Sequence, residues 1–345
     1  MVKKSLIIEE TNQEVFQFIN EVINVNAEDI EILKTINKFN IDRLDNQVKA
    51  IVNIHKLNDI AKLNEFFISV NKKLEKNRYF VGVVETQNQR KKRLLKKYPS
   101  LIARPYILSD FIFKRVFPKL KATRWLYFFI TAGRNKIISK AETLGRLVFC
   151  GFEIIETRDI NNLTWFIVKK VEEYEPKPAP SYGLLFKMKR VGKHGKPITV
   201  YKFRTMHPYA EYLQEYMYRT YNLQKGGKFN NDFRITPWGR IMRKLWIDEI
   251  PMLYNVIKGE LKLVGVRPLS KQYLNLYDEQ VKISRLQVKP GMVPPFYADL
   301  PETLDEIMQS ELNYIKQYKQ NPIETDTKYF VKALRNILIK KARSN

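Results

Sequence analysis

The sequence has few of the residues that form disulfides or histidine-based metal sites. Its single cysteine, Cys150, cannot form an internal disulfide, which suits a reducing compartment. Cys150 also lies within an apolar run, as is typical of a buried thiol. The three histidines, His55, His194 and His207, are far apart along the chain. A disulfide scaffold is therefore excluded, and a histidine-built metal site is not favoured.

Long apolar runs are also absent. No stretch reaches the roughly 18 consecutive apolar residues that a membrane-spanning helix needs. The first residues, MVKKSLIIEETNQEVF, lack the apolar centre of a signal peptide. We therefore expect a chain that remains in the cytoplasm and has no transmembrane helix.

Acidic residues are scarce relative to basic ones. The chain has 61 Lys and Arg against 36 Asp and Glu, a formal net charge of +25. Such a surplus favours anionic partners, which include nucleic acids, acidic lipid headgroups and phosphorylated substrates, but it does not choose among them. The hydrophobic content of 44% is that of a folded protein rather than a disordered one.

The periodicity of apolar residues predicts an α/β (α+β) protein of several regions. Residues 1–75 are predicted to form a helical N-terminal region, because apolar residues recur there at three- and four-residue spacing. Residues 76–172 alternate between strand and helix patterns, which predicts a small α/β domain. Residues 173–180 have the composition of a proline-rich linker, and a further α/β domain with a helical tail follows at 181–345. The strands predicted in the small domain are 79–84, 125–131, 152–157 and 163–170.

A basic hairpin opens the C-terminal domain. Strands are predicted at 184–190 and 197–204, with a glycine-containing turn between them. Lys202 and Arg204 are two residues apart in the second strand, so they share a face, where two cations can clamp a diphosphate. The alternative is that these cations only form a solvated surface.

Two adjacent acids follow a predicted helix. Thr236 and the proline after it are a strong helix start, and this helix carries Arg243. Asp248 can cap a second helix, which places Asp248 and Glu249 at a helix N-terminus suited to phosphate oxygens. Neighbouring helical side chains point about 100° apart, so one carboxylate can face a phosphorus atom and the other a metal ion. Alternatively, Asp248 is only a cap and Glu249 a favourable first-turn acid.

These segments together resemble a known family. Residues from about 181 to 293 resemble the bacterial sugar transferases, also called monotopic polyprenyl-phosphate phosphoglycosyl transferases. The matching stretches are RVGKHGKPITVYKFRTM, RITPWGRIMRK, IDEIPMLYNVIKGELKLVGVRPLS and VKPGM. The resemblance implies that Asp248 is the nucleophile and that Glu249 helps to bind Mg²⁺. It also implies phosphate-facing cations, which are Lys202, Arg204, Arg243 and Arg267.

The resemblance further implies a reaction. A sugar 1-phosphate would pass from a UDP-sugar to a polyprenyl (undecaprenyl) phosphate through a covalent aspartyl intermediate. The step would initiate exopolysaccharide, capsule or O-antigen-type glycan synthesis at the cytoplasmic side of the bacterial inner membrane, with peripheral or monotopic attachment. The motifs do not specify the sugar or the oligomeric state.

The sequence departs from the family in its membrane segment. Family members usually carry a hydrophobic re-entrant helix where this chain has its proline-rich linker, which leaves the lipid acceptor less supported than the phosphate chemistry. Residues 111–130 mix five cations with seven aromatics and could contact anionic lipid. Alternatively, residues 125–130 are a core strand. The apolar, proline-stiffened segment 292–297 is a second candidate lipid contact.

Two other functions remain open at this point. The first is a catalytically silent scaffold of a polysaccharide assembly complex, against which the intact acid pair counts. The second is a basic nucleic-acid-binding protein, but neither a zinc motif nor a helix-turn-helix signature occurs, so no nucleic-acid partner is expected.

Overall fold

The computed structural model describes residues 2–27, 29–45, 48–178, 180, 182–220, 223–224, 228–229 and 232–339. The chain divides into two compact units, one comprising Met1–Tyr182 and His207–Arg219 and the other comprising Gly183–Met206 and Thr220–Asn345. Helices and strands are mixed within both units, so the predicted α/β class is confirmed. The exact domain boundaries given above stay predictions.

The first unit is built on a five-stranded sheet with the strand order β1-β2-β3-β5-β4. Neighbouring strands among the first three are parallel, and β5 pairs antiparallel with both β3 and β4. The strands are β1 (Ile30–Leu33), β2 (Val48–Lys56), β3 (Leu74–Val84), β4 (Phe152–Ile160) and β5 (Leu163–Lys170). The helices are α1 (Val2–Glu10), α2 (Gln13–Asn20), α3 (Lys38–Asp42), α4 (Leu63–Lys73), α5 (Gln87–Lys97), α6 (Ser100–Phe111), α7 (Lys121–Thr131), α8 (Lys140–Phe149) and α9 (Gln214–Thr220).

Side chains pack on both faces of this sheet, as the two-residue period of a strand requires. In β3, Val81 and Val83 join one core cluster with residues of α1 and α2 such as Phe18. Phe80, the residue before Val81, points to the other face and meets Phe166 of β5 at a ring-centroid distance of 5.7 Å. The sheet is therefore buried on both sides.

The prediction of a wholly helical region at residues 1–75 is wrong. Strands β1 and β2 lie within it and form the parallel side of the sheet. A short apolar run such as IVNI has no period that separates a buried strand from a buried helix. Parallel strands covered on both faces have this continuous apolar pattern.

A second correction concerns residues 125–131. The aromatic run WLYFFIT predicts a strand, since aromatic and β-branched residues favour sheets. The structure places it in helix α7 instead. The strand predictions for 79–84, 152–157 and 163–170 are confirmed by β3, β4 and β5.

The second unit has small sheets surrounded by helices. Its strands are β6 (Leu185–Val191), β7 (Pro197–Phe203), β8 (Leu223–Gln224), β9 (Lys228–Phe229), β10 (Lys262–Val264) and β11 (Gly291–Val293). Its helices are α10 (Pro237–Lys244), α11 (Met252–Ile257), α12 (Lys271–Leu274), α13 (Glu279–Leu286), α14 (Phe296–Asp299), α15 (Leu304–Gln320) and α16 (Pro322–Leu338). The predicted basic hairpin is confirmed as the antiparallel pair β6–β7.

The predicted helical tail is confirmed, and it covers a core in the second unit. Helices α15 and α16 meet at Pro322, and Tyr314 and Tyr329 pack edge to face at 5.0 Å. Val293 and Tyr297 are buried in the same cluster. Segment 292–297, proposed from the sequence as a lipid contact, is therefore mostly core, because its apolar side chains pack under the tail helices.

Candidate active site

Asp248 and Glu249 lie in a tight turn between α10 and α11. The turn, Ile247–Glu249, is a 3₁₀ helix entered through Trp246, whose φ is 61°. Helix α11 begins only at Met252, and Pro251 stands at its N-cap position. The prediction that Asp248 caps this helix is therefore wrong, because the i→i+3 bonds of the turn place the pair before the helix. The phosphate-binding role must then rest on side-chain cations.

The carboxylate of Asp248 is buried and incompletely paired. The residue is 5% exposed, and its Oδ1 atom has no hydrogen-bond partner in the part of the chain that the structure describes. Burial raises the pKa of Asp248, and the neighbouring Glu249 carboxylate raises it further, while Lys202 and Arg243 act in the opposite direction. A buried acceptor without a partner is costly to the fold, so such a group is a candidate for function.

Glu249 is held by a cation of the basic hairpin. Lys202, in strand β7, donates from Nζ to Glu249 Oε1 at 2.5 Å. Both residues are largely shielded from solvent, with side-chain exposures of 19% and 5%. This contact joins the basic hairpin to the acid pair, and the charge of Lys202 also lowers the pKa of Asp248.

Arg243 reaches the same site from α10. Its Nε donates to the hydroxyl of Thr205 at 2.9 Å, and its pKa is lowered by burial and raised by the Asp248 carboxylate. The approach depends on Gly239, because a Cβ there would overlap the carbonyl oxygen of Thr205. The predicted cap is confirmed, since the Thr236 hydroxyl accepts from Gly239 N at 2.9 Å.

The other two predicted cations are not joined to Asp248 by any contact among the described residues. Arg204 donates from Nε to the Gly183 carbonyl at 3.1 Å and lies 5.0 Å over the ring of Phe186. Arg267 has an exposed side chain, and its carbonyl accepts from Arg285 Nη2 at 2.5 Å. Phosphate contacts by Arg204 and Arg267 stay predictions.

Comparison with known proteins decides the family. Residues 177–340 match the family model described as bacterial sugar transferase. This region belongs to the bacterial sugar transferase family. The recognition made from the motifs is thereby confirmed.

The relatives of this transferase region are similar over limited lengths. It is 46% identical over 109 residues to the uncharacterized sugar transferase EpsL of Bacillus subtilis, which covers 32% of this chain and 48% of EpsL. It is 43% identical over 108 residues to an undecaprenyl-phosphate galactose phosphotransferase of Salmonella typhimurium, which covers 30% and 22%. It is 33% identical over 160 residues to the galactosyl transferase CpsE of Streptococcus agalactiae, which covers 45% and 34%. The chain thus spans less than half the length of these relatives.

Solved structures are less similar. A SAM-dependent methyltransferase of Methanosarcina mazei superposes with a TM-score of 0.26 over 38% of this chain and 64% of that one, at 19% identity. A likeness of this size does not assign a function.

Sequence reasoning missed Asn255, which holds the hairpin β6–β7 against helix α11. Asn255 of α11 is fully buried; its Oδ1 accepts from Tyr201 N at 3.1 Å, and its Nδ2 donates to Thr199 O at 2.7 Å. Both bonds lie just before Lys202 in strand β7. The motif NVIKGE pairs Asn255 with Glu260, because Asn255 Nδ2 also donates to Glu260 at 2.7 Å, and this spacing could have drawn attention to Asn255. Its partners in β7 could not be predicted, because they are distant in sequence.

Thr205, Asp232 and Arg234 were also not singled out. Besides bonding Arg243, Thr205 accepts from Thr236 N at 2.9 Å through its carbonyl. Asp232 and Arg234 form a buried pair at 2.7 Å, and both act on the pKa of Arg243. These residues therefore help to set the position and charge of Arg243.

We expect Asn255→Leu to destabilise the second unit by about 2–3 kcal/mol, because it leaves the Tyr201 amide and the Thr199 carbonyl without their buried partner. Denaturant unfolding of the parent and the variant measures the loss. Asn313→Leu is the matched control and should cost less than about 0.5 kcal/mol, because Asn313 is exposed on α15 and accepts a hydrogen bond from the exposed Gln309. Equal effects of the two substitutions would contradict the positioning role of Asn255.

Proposed function

We propose that this protein is a phosphoglycosyl transferase that moves sugar 1-phosphate from a UDP-sugar to a polyprenyl phosphate such as undecaprenyl phosphate. The observation that carries the proposal is the buried Oδ1 of Asp248, near Lys202 and Arg243 in a bacterial sugar transferase region, for which the described residues provide no hydrogen-bond partner. The names of several relatives, such as the undecaprenyl-phosphate galactose phosphotransferase, support this substrate class.

The first half-reaction uses Asp248 as the nucleophile. Its carboxylate oxygen forms a bond to the phosphorus of the sugar 1-phosphate unit, and the bond from that phosphorus to the bridging oxygen of UMP breaks. UMP leaves with the bond electrons. Lys202 and Arg243 stabilise the negative charge that builds up on the phosphoryl oxygens and the leaving group.

The second half-reaction restores the enzyme. A phosphate oxygen of the polyprenyl acceptor attacks the same phosphorus, the bond to Asp248 breaks, and the lipid diphosphate sugar leaves. The Asp248 carboxylate is regenerated without a net proton change on the protein. Donor and acceptor therefore use one site in turn, which is a ping-pong sequence.

The surface beside the acid pair suits a lipid acceptor. Trp238 and Ile241 of α10 and its C-cap residue Leu245 are exposed on one face, as are Leu253 and Ile257 of α11. Exposed apolar side chains on two short helices that flank the nucleophile favour an acyl or isoprenoid surface over water. We accordingly propose peripheral or monotopic attachment to the cytoplasmic face of the bacterial inner membrane.

The acid pair also fits a shared magnesium ion. The described residues contain no cluster of three or more His, Cys, Asp or Glu side chains that could hold a metal. Mg²⁺ is nevertheless commonly bound by one or two carboxylates together with substrate phosphates, and Glu249 with Asp248 provides that donor set. Bound there, the ion would supply charge neutralisation at the diphosphate.

We expect Lys202→Met to move the acid limb of the pH–rate profile upward. Lys202 lowers the pKa of Asp248, so its removal raises that pKa, and the reactive carboxylate is then lost at a higher pH. Rates of UMP release measured across the acidic range for both proteins test this. Lys187→Met, on an exposed part of the neighbouring strand β6, is the control. An unchanged acid limb in Lys202→Met would contradict the effect of Lys202 on the pKa of Asp248.

The transfer itself is tested by UMP release from a panel of UDP-sugars with Mg²⁺ and undecaprenyl phosphate in detergent. We expect one or a few sugars to give sustained, lipid-dependent UMP release. Nucleotide-sugar binding without turnover would instead favour the silent scaffold.

A further inference from the structure

The outer surface of the first unit carries an unusual number of exposed apolar side chains on α6 and α7. Leu101 is 89% exposed, Phe129 is 84% exposed and Trp125 is 67% exposed. Other exposed apolar residues in this region are Leu95, Ile102, Tyr106, Leu108, Ile112, Leu120 and Ile130. Single exposed apolar residues are common, but a group of this size marks an interaction surface. We call these residues the α6–α7 surface.

Buried ion pairs and ring contacts on the inward sides of both helices fix which side chains are exposed. In α6, Asp110 is buried and accepts two hydrogen bonds from Arg90 of α5, at 2.6 and 2.9 Å. In α7, Tyr127 is fully buried and packs on Phe113 at a centroid distance of 5.6 Å. Because the inward faces are held by ion pairs and ring packing, the outward apolar residues cannot rotate into the core.

The charge around the α6–α7 surface has one sign. Residues 91–134 contain twelve Lys and Arg and a single acid, Asp110, which is buried and paired. Several exposed cations lie between or beside the apolar residues, namely Lys96, Lys97, Arg104, Lys121, Arg124 and Arg134. The complementary partner is therefore anionic and also offers an apolar interior.

We propose that the α6–α7 surface docks this protein on an anionic lipid bilayer. Apolar side chains such as Trp125 and Phe129 enter the acyl boundary, and the surrounding lysines and arginines contact lipid phosphates, as in interfacial amphipathic helices. Among the described residues, no helix has the length and apolarity to cross a membrane, so these helices lie in the interface. Nucleic acid matches the charge but has no apolar region for Leu101 and Phe129.

This docking surface is independent of the transfer site. Every residue that forms it belongs to the first unit, whereas Asp248 and its neighbours belong to the second. It gives the protein a lipid contact of its own, although the sequence predicts a linker at the position where family members usually carry a hydrophobic re-entrant helix. A substitution in the α6–α7 surface can therefore abolish bilayer binding without abolishing sugar-phosphate transfer in detergent, and a substitution at Asp248 can abolish transfer without abolishing bilayer binding.

Vesicle co-sedimentation of the full chain tests the proposal, with the double variant Trp125→Ser, Phe129→Ser as the probe. On vesicles of equimolar phosphatidylglycerol and phosphatidylethanolamine, we expect the double variant to bind about tenfold more weakly or worse, given the apolar area removed from contact. Phe39→Ser is the matched control, because Phe39 is also half-exposed in the first unit but lies in α3. It should bind as the parent does. Binding by the double variant equal to that of the parent would overturn the proposal.

A site-specific readout separates this surface from other lipid contacts of the chain. A fluorophore on Phe129→Cys should shift to shorter wavelength on anionic vesicles, and one on Lys38→Cys in α3 should not. Cys150 need not be removed, because burial raises the pKa of its thiol to about 12 and shields it from labelling. No shift at position 129, or a lipid-free parent that is dimeric while the double variant is monomeric, would show that the surface does not dock on lipid.

Discussion

Asp248→Asn is expected to abolish sugar-phosphate transfer and leave the protein at least as stable as the parent. An amide oxygen is a poor nucleophile, so no aspartyl intermediate forms. Removal of a nucleophile of this kind costs on the order of 10⁴-fold or more in turnover. UMP release with undecaprenyl phosphate and the preferred UDP-sugar measures the loss.

The stability half of this prediction follows from the burial of Asp248. Its pKa is raised by desolvation, so the ionised carboxylate destabilises the folded protein at neutral pH. That cost disappears as the pH falls and the folded protein takes up the proton. Replacing the charge with a neutral isostere should therefore raise the free energy of unfolding by about 1 kcal/mol at neutral pH, and the gain should shrink in acid.

Asp278→Asn is a suitable control for the nucleophile substitution. Asp278 is exposed before α13 and lies outside the site, so its replacement should leave turnover and stability nearly unchanged. An active Asp248→Asn protein would exclude Asp248 as the nucleophile. An inactive variant that is also unfolded would contradict the claim that this carboxylate is held at a cost to the fold.

Glu142→Gln is expected to destabilise the first unit by about 3–5 kcal/mol, because it leaves buried cations without their counter-charge. Glu142 accepts from Lys119 at 3.1 Å and from Arg146 at 2.9 Å, and it also pairs with Arg115. Glu142 is 2% exposed, so water does not replace the lost charge. Urea unfolding of the parent and the variant measures the difference.

The pH dependence of this effect has a defined sign. The three cations hold the pKa of Glu142 well below its usual range despite its burial. Its stabilising contribution is therefore present above the pKa of an unfolded glutamate and is lost as the pH falls toward the lower pKa of the folded state. The difference between parent and variant should narrow in strong acid.

Glu153→Gln is the matched control for Glu142. Glu153 pairs with Arg219 and Lys169 but is partly exposed, so solvent screens the interaction and its loss should cost less than about 1 kcal/mol. If Glu142→Gln were as mild as this control, the buried network would not be the main electrostatic support of α8.

Elements with strong local signals could be predicted from the sequence. The β6–β7 hairpin has glycines at its turn. Helix α10 begins at Pro237 after the N-cap residue Thr236, and the capping bond joins residues only three apart in sequence. Elements whose apolar residues fit both a strand and a helix pattern could not be predicted. The run Trp125–Ile130 favours a strand by composition, but it forms a helix in which Trp125 and Phe129 are exposed and Tyr127 is buried.

The candidate site was predicted in part. Asp248, Glu249, Lys202 and Arg243 were named from the motifs, and the structure brings them together. Their geometry was not predictable, because it depends on contacts between residues far apart in sequence. Asn255 binds backbone atoms of the hairpin that are more than 50 residues away in sequence, and no local sequence pattern indicates such a bond.

The central claim is tested most directly by the intact mass of the protein after incubation with Mg²⁺ and the preferred UDP-sugar in the absence of lipid. We predict one sugar-phosphate adduct per chain, located at Asp248 by peptide mapping, released by undecaprenyl phosphate and absent from Asp248→Asn. Sustained, lipid-dependent transfer by a protein that never carries this adduct, or an adduct at another residue, would contradict the account.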